Sequence, residues 1–310
     1  MVAAAYGDRV DVLVTGSSGF IGSSLLPALT VAGLRPVRAL RQRSIPKGVD
    51  AIAWDPDAGV IDAASLEGLG AVVHLAGVSI GDKRWTDDRK RLILESRTHG
   101  TRALVEALAA LQRPPAVMVS ASAVGYYGSN SGEAAVDEHA PPGTDFVADV
   151  CRQWEAAAAP AAAAGIRLVT IRSGVVLGHG GGMLGRLLMP FRLGLGGRIG
   201  SGEQWLSWIS MDDEVGAILH ALRSESLTGP ANLTAPNPVR NREFTAELAR
   251  AVHRPAAIPT PLLPLKALYG GELVEGVLLA SQRVLPRVLT SDGYQFKHAT
   301  LDAALRAVLG

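Results

Sequence analysis

A chain of 310 residues that is 48% hydrophobic and 19% charged has ample apolar material for one large core, or for a core with a smaller lobe. Its formal net charge of +1, without a basic tail or stripe, gives no electrostatic case for nucleic acid or an anionic membrane surface as partner. The single cysteine, Cys151, excludes an intrachain disulfide and a multi-cysteine metal site, in agreement with a reducing, cytoplasmic setting.

The first nine residues lack a charged start followed by an apolar run, so they are expected to be a short disordered extension and not a secretory signal. Val10, Val12, Leu13 and Val14 then predict a buried strand, and a glycine turn leads into a helix over Phe20–Val31 that stops near Gly33. Strand, glycine turn and apolar helix in that order make a cradle for a nucleotide diphosphate. Gly16 supplies the tight turn, Gly19 lets backbone approach a pyrophosphate, and Gly22 lets the helix pack closely on the sheet. Thr15, Ser18, Phe20 and Ile21 complete the candidate cradle. The spacing alone is weak evidence, and its place between strand and helix strengthens it.

Short apolar runs continue to alternate with helical patterns. Strands are expected at 36–40, 51–54, 71–75, 116–120 and 167–171, with a long helix over 86–111 and an alanine-rich helix over 145–159 that Pro160 interrupts. This order predicts an α/β protein with a Rossmann-type, doubly wound parallel sheet. After Gly174 the glycines at 178–182 and 194–202 and the prolines from 230 to 264 break the pattern, so a smaller C-terminal substrate lobe is expected. Residues 1–173 are assigned mainly to the nucleotide-binding domain and 174–310 mainly to that lobe, with interleaving allowed. The apolar stretch 262–279 is interrupted by Lys266, Glu272 and Glu275, too much charge for a membrane span.

The order of segments resembles the extended short-chain dehydrogenase/reductase superfamily, the NAD-dependent epimerase/dehydratase group, over nearly the whole chain. The resemblance rests on residues 15–22, on Val73-His74-Leu75-Ala76-Gly77, on Gly100 to Ala107, on 172–178, and on 202–213. More narrowly, Lys83-Arg84-Trp85, Glu95-Ser96-Arg97, residues 120–128 and Ala280-Ser281-Gln282-Arg283-Val284-Leu285-Pro286 resemble an atypical, epimerase-like or cell-division-inhibitor-like subgroup with a short C-terminal domain of unknown function. The subgroup's reaction is poorly defined, so the resemblance implies a fold and a nicotinamide cofactor more than a chemistry.

In such a fold the end of the second strand meets the adenosine ribose, where an acid accepts from the 2′-hydroxyl and an arginine pairs a 2′-phosphate. Here the chain reads Arg38-Ala39-Leu40-Arg41-Gln42-Arg43, without a carboxylate, which favours NADP(H) over NAD(H); the alternative is a solvated basic face. The resemblance places Asp55 against the adenine amino group, although Asp55 could equally cap a turn before Pro56. Leu75, Ala76 and Gly77 border the cofactor, where smallness matters. His74 and Cys151 read as packed residues and not as catalysts.

Catalysis in this superfamily uses a tyrosine assisted by a lysine four residues later, which lowers the phenol pKa from ~10. None of the five tyrosines (6, 126, 127, 269, 294) precedes a lysine (47, 83, 90, 266, 297) by four. With Glu155 as a register mark, Val147 and Cys151 hold the two positions, and Arg97 replaces the family's long-helix asparagine. Ser122 matches the family's catalytic serine or threonine and is expected to hydrogen-bond a substrate carbonyl. Tyr127, or else Tyr126, is the candidate acid, with the alternative that both rings only pack the loop. Lys83, Arg84, Trp85 and Arg172 are candidate substrate contacts, and Arg97 is counted with the cofactor. No metal is expected. The leading expectation is an NADP(H)-dependent oxidoreductase acting on a small carbonyl compound; a nucleotide-sugar epimerase and a non-catalytic NADP(H)-responsive binding protein are the rivals. A homodimer through the helices at 86 and 145 is possible on the resemblance.

Overall fold

Alternate residues of the first strand serve opposite faces of one sheet: Val12 and Val14 enter one apolar core and Leu13 the other. The computed structural model describes residues 10–41, 44–45 and 51–310; Arg43 and the first nine residues lie outside them. The sheet-forming half runs β1 (Asp11–Thr15), α1 (Phe20–Val31), β2 (Arg35–Leu40), β3 (Ala51–Asp55), β4 (Val60–Ile61), β5 (Ala71–His74), α2 (Asp87–Ala109), β6 (Val117–Ala123), α3 (Phe146–Ala158), α4 (Pro160–Ala163) and β7 (Arg167–Ser173). Thr86 starts the long helix by accepting the Arg89 amide at 3.2 Å, and Asp87 and Asp88 suit the positive end of its dipole. Asp145 caps α3 in the same way through the Ala148 amide at 2.9 Å.

The chain then leaves the sheet and comes back to it. Beyond Gly174 follow β8 (Val175–Leu177), α5 (Gly182–Arg192), β9 (Trp205–Leu206), β10 (Trp208–Ser210), α6 (Met211–Arg223), β11 (Gly229–Leu233), β12 (Val239–Arg240), α7 (Asn241–Ala251) and α8 (Leu262–Tyr269), and the last helix is Leu301–Leu309. The order β11-β7-β6-β5-β1-β2-β3-β4 makes an eight-stranded sheet, parallel except where β4 turns back on β3. Helices α1 and α6 contribute Leu25, Leu29, Ile218 and Leu222 to one face, while α2 contributes Leu104 and Leu108 to the other. Strand order reverses between β1 and β5, and at their carboxyl ends a doubly wound sheet opens a ligand crevice.

A separate core binds α5, α7 and the last helix through Leu184, Phe191, Phe244, Leu248, Leu301 and Leu305, around the fully buried Trp208. Two small ribbons, β8 with β10 and β9 with β12, tie this lobe to the sheet. No helix among the described residues is long and apolar enough to cross a membrane.

Candidate functional site

Gly16 ends β1 with φ +64°, a conformation that favours glycine, and a Cβ there would lie 2.8 Å from the Leu75 carbonyl. At Gly22 a Cβ would come within 2.3 Å of the Gly16 oxygen, so the turn and the first turn of α1 fit only when both are bare. The Gly19 amide closes the turn on the Gly16 carbonyl at 2.9 Å, leaving Ser18 and Gly19 exposed at the crevice. Phe20 sits at the start of α1 under the loop after β8, where side chains at Gly178, Gly181 or Gly182 would collide with its ring. Ile21 packs beneath, at the edge of the sheet core. Gly16 and Gly22 are therefore required by the turn's own packing, and the exposed Gly19 leaves its backbone accessible at the crevice.

Thr15 fixes this cradle to the neighbouring strand. Its hydroxyl accepts from the Leu75 and Ala76 amides at 3.2 and 3.3 Å and lies 2.8 Å from His74 Nδ1. On the other ring nitrogen, His74 Nε2 is 2.9 Å from Thr101 Oγ1, which donates to the Arg97 carbonyl and accepts from Trp154 Nε1 at 3.1 Å. Those partners assign every proton. Thr101 has no hydrogen left to give His74, so Nε2 carries the ring proton, Nδ1 accepts, and Thr15 donates to it. Complete burial lowers the His74 pKa to about 4, in keeping with this neutral tautomer.

At the end of β2, Arg38 Nε reaches the buried Ser17 hydroxyl of the glycine turn at 3.2 Å, which ties it to the cradle. Arg41 turns away to Asp57, at 2.6 Å, and lies 3.9 Å from Asp55. Hydrogen bonding to Asp57 raises its pKa. Asp55 caps its own turn, its Oδ1 accepting the amides of Asp57 and Ala58 at 3.1 and 3.3 Å.

Ser122 lies inside β6, not beyond its end, and the register places it directly beside Arg172 of β7. From α3, Glu155 reaches both: Ser122 Oγ donates to it at 2.7 Å, and Arg172 Nε and Nη2 donate to its two oxygens at 2.8 Å each. Ser122 was expected to donate to a substrate carbonyl, but its one proton already goes to Glu155, which leaves its oxygen an acceptor. Burial opposes the Arg172 charge, and the Glu155 carboxylate more than compensates, so the guanidinium pKa is raised. The same guanidinium stacks on the Tyr126 ring, 3.4 Å from its centre.

Tyr127 takes a different place from the one expected of a proton donor. Its hydroxyl donates to Asn232 Oδ1 at 2.7 Å and accepts from Arg172 Nη1 at 3.0 Å, and the side chain is buried against Val124 and Val284. Burial, against the pull of Arg172, pushes its pKa up to about 12. Tyr126 is half-buried, and its hydroxyl makes no hydrogen bond among the described residues. Sequence reasoning put Tyr127 ahead of Tyr126 with no view of Asn232, which arrives on β11 from a hundred residues away.

Of the positions where the resemblance would put tyrosine and lysine, Val147 is half-buried and Cys151 is buried. Val147 fills the space where a Cβ at Gly125 would sit, 2.4 Å from its Cγ1, and faces Gly276 of the C-terminal segment. Burial raises the Cys151 pKa to about 12, so it stays a thiol. Arg97 stacks on Trp154 at 4.9 Å beneath Gly77, donating Nη1 to the carbonyls of Val78 and Ile93 at 2.9 and 3.0 Å. It has no carboxylate partner among the described residues, and burial lowers its pKa. Lys83 and Arg84 are exposed. Trp85, expected at the substrate, is buried: it packs edge-on to Phe146 at 5.1 Å and donates to the Ile80 carbonyl at 2.9 Å. A ring that large supplies more by filling the apolar gap between Ile93, Val150 and Leu273 than it could at the surface.

Comparison with known proteins agrees with this architecture. An epimerase family protein of Mycobacterium bovis is 42% identical over 294 residues, spanning 95% of this chain and 96% of its own. The human epimerase family protein SDR39U1 is 38% identical over 301 residues, 96% of this chain and 99% of its own. A crystal structure of human SDR39U1 (isoform 2) with NADPH aligns at a TM-score of 0.87 and 37% identity, covering 97% of this chain and 99% of that one. A domain of unknown function, DUF1731, matches residues 260–308. Residues 12–233 match the model of the NAD dependent epimerase/dehydratase family, and the chain belongs to that family.

Proposed function

We propose that this protein is an NADP(H)-dependent oxidoreductase acting on a small carbonyl or conjugated substrate. The observation that carries the cofactor choice is Arg38, tied to the glycine turn through Ser17 at a strand end that offers no carboxylate. The crystallisation of human SDR39U1 with NADPH supports it. Residues 15–22 would hold the diphosphate, Arg38 the 2′-phosphate, and Ala76, Gly77 and Arg97 the nicotinamide end. When bound, the cofactor supplies or accepts a hydride. The chain's own part is proton handling: Ser122 presents an acceptor lone pair held in place by Glu155, which suits a substrate hydroxyl, and the unengaged Tyr126 phenol exchanges the proton. Tyr127 and Arg172 keep that loop and that carboxylate in position.

Dissociation constants for NADPH and NADH at one ionic strength test the cofactor assignment. Arg38→Ala is expected to weaken NADPH by about 10- to 100-fold, the worth of a charge-assisted hydrogen-bond pair, and to leave NADH unchanged. Arg41→Ala is expected to do less, because Asp57 already holds that side chain. Tighter NADH binding by the unmodified protein would overturn the assignment. An aliphatic Val147 and a buried, protonated Cys151 in the family's tyrosine and lysine positions favour one other reading, a binding protein that responds to NADP(H) without turnover. Firm NADPH binding with no oxidation across a panel of aldehydes, ketones and enones would select it.

A further inference from the structure

A cavity of about 410 Å³ opens between the start of α2 and the short turn Gly271–Leu273 that follows α8. Two cations meet in it. Lys90 is held by Glu272 at 3.0 Å and Asp87 at 3.8 Å, with its ammonium 5.8 Å over the Phe146 ring. Arg84 is exposed and has no carboxylate partner among the described residues, and its stem lies against Gly270, where φ is +85° and an added Cβ would stand 2.8 Å from Arg84 Cγ. The glycine therefore both makes the turn and gives the arginine its bed. An unpaired guanidinium at the wall of a small polar cavity is complementary to an oxyanion. Glu272 accepts from Lys90 on both oxygens, at 3.2 and 3.0 Å, and keeps a second lone pair on each, while Asp87 stands exposed at the rim; both would take hydroxyl donors more readily than a second cation.

We infer that this cavity binds a small hydroxylated oxyanion, a carboxylate or a phosphate ester, with the charge on Arg84 and the hydroxyls on Glu272 and Asp87. Its volume is at the small end of the roughly 300–1,000 Å³ usual for metabolite sites. Buried Trp85 forms one wall, and a Cβ added at Gly276 would stand 3.4 Å from its indole and 3.9 Å from Val147 Cγ2. The inference rests on the oxidoreductase reading only in treating the cavity as the outer end of the substrate site; the binding itself is independent of turnover.

Calorimetric titration of the full chain with glucose 6-phosphate, gluconate, inorganic phosphate and glucose tests it. Saturable binding of glucose 6-phosphate or gluconate is expected, each arm naming its own anion, with glucose silent and inorganic phosphate weaker. Arg84→Ala is expected to lower the affinity at least about tenfold and Arg84→Lys by less, since lysine keeps the charge without the fork. NADPH titrated into the same variants should bind unchanged, which shows that they fold and separates this inference from the cofactor assignment. Heat with neither anion, equal binding of glucose, equal binding of inorganic phosphate, or anion binding that ignores Arg84→Ala would each overturn it.

Discussion

The chain Thr15–His74–Thr101–Trp154 holds histidine in one neutral tautomer, and that has a measurable cost in acid. Protonating His74 would put a second ring hydrogen against Thr15 Oγ1, whose lone pairs already serve the Leu75 and Ala76 amides. The folded pKa of about 4 lies below the ordinary 6.5, so the folded protein resists a proton that the unfolded chain accepts. Stability from this residue is therefore fully present above pH 6.5 and is lost as pH falls towards 4. Between pH 7 and pH 4.5 the linkage amounts to roughly 2 kcal/mol. The perturbation is His74→Gln, which cannot titrate; the assay is denaturant unfolding of both proteins at the two pH values. At pH 7 the variant should be the less stable, having lost the two-sided bridge, and at pH 4.5 that gap should narrow by roughly 2 kcal/mol. Other titrating groups are common to both proteins and cancel in the difference. A gap that stays the same at both pH values would refute the assignment of His74 as a buried neutral bridge.

Glu214 should show the opposite dependence. Burial raises its pKa to about 8, and only one of its oxygens has a partner, Ser173 at 2.6 Å. Its contribution to stability is largest below the ordinary value of 4.5 and falls as pH rises to 8, so Glu214→Gln should flatten the stability curve between those pH values. At Tyr127→Phe the Asn232 carbonyl oxygen loses its donor inside the core, which should cost about 1–3 kcal/mol in unfolding measurements while NADPH affinity is kept. Gly22→Ala would force a methyl to within 2.3 Å of the Gly16 oxygen; a loss of at least about 1–3 kcal/mol and of measurable NADPH binding is expected by calorimetry and thermal unfolding.

The parallel sheet was legible because its strands are short apolar runs separated by helices long enough to cross over, and the glycine turn sits between β1 and α1 as the spacing predicts. The C-terminal domain matched by residues 260–308 was likewise foreshadowed by the 280–286 segment. What could not be read were pairings set by register. Ser122 meets Arg172 because β6 runs on to Ala123, three residues past its predicted end, and Glu155 joins them from a helix whose facing depends on tertiary packing. Tyr126 and Tyr127 are neighbours in a single tight turn, so their rings diverge, one stacking on Arg172 and one passing into the core; no periodicity separates them. Arg41 was indistinguishable from Arg38 until the unforeseen β3–β4 turn delivered Asp57. The ribbons β8–β10 and β9–β12 lie in glycine-rich sequence, where short strands leave little pattern.

The stitching of the candidate catalytic loop by the C-terminal segment bears on how the chain folds as it is made. Ser281 bonds the 129–131 turn from both sides, Gln282 reaches the Val124 carbonyl, and Val136 exchanges backbone bonds with Arg283 and Leu285. All of these partners lie about 150 residues apart in sequence. During synthesis the sheet can form from its N-terminal strands, but the loop bearing Tyr126 and Tyr127, although it meets Gly143, Arg172 and Asn232 earlier, lacks its last backbone partners until residues 281–285 have emerged. The glycine turn should therefore be in place before this loop is complete, and a ribosome-bound chain stopped before residue 281 would carry the turn beside an unfinished loop.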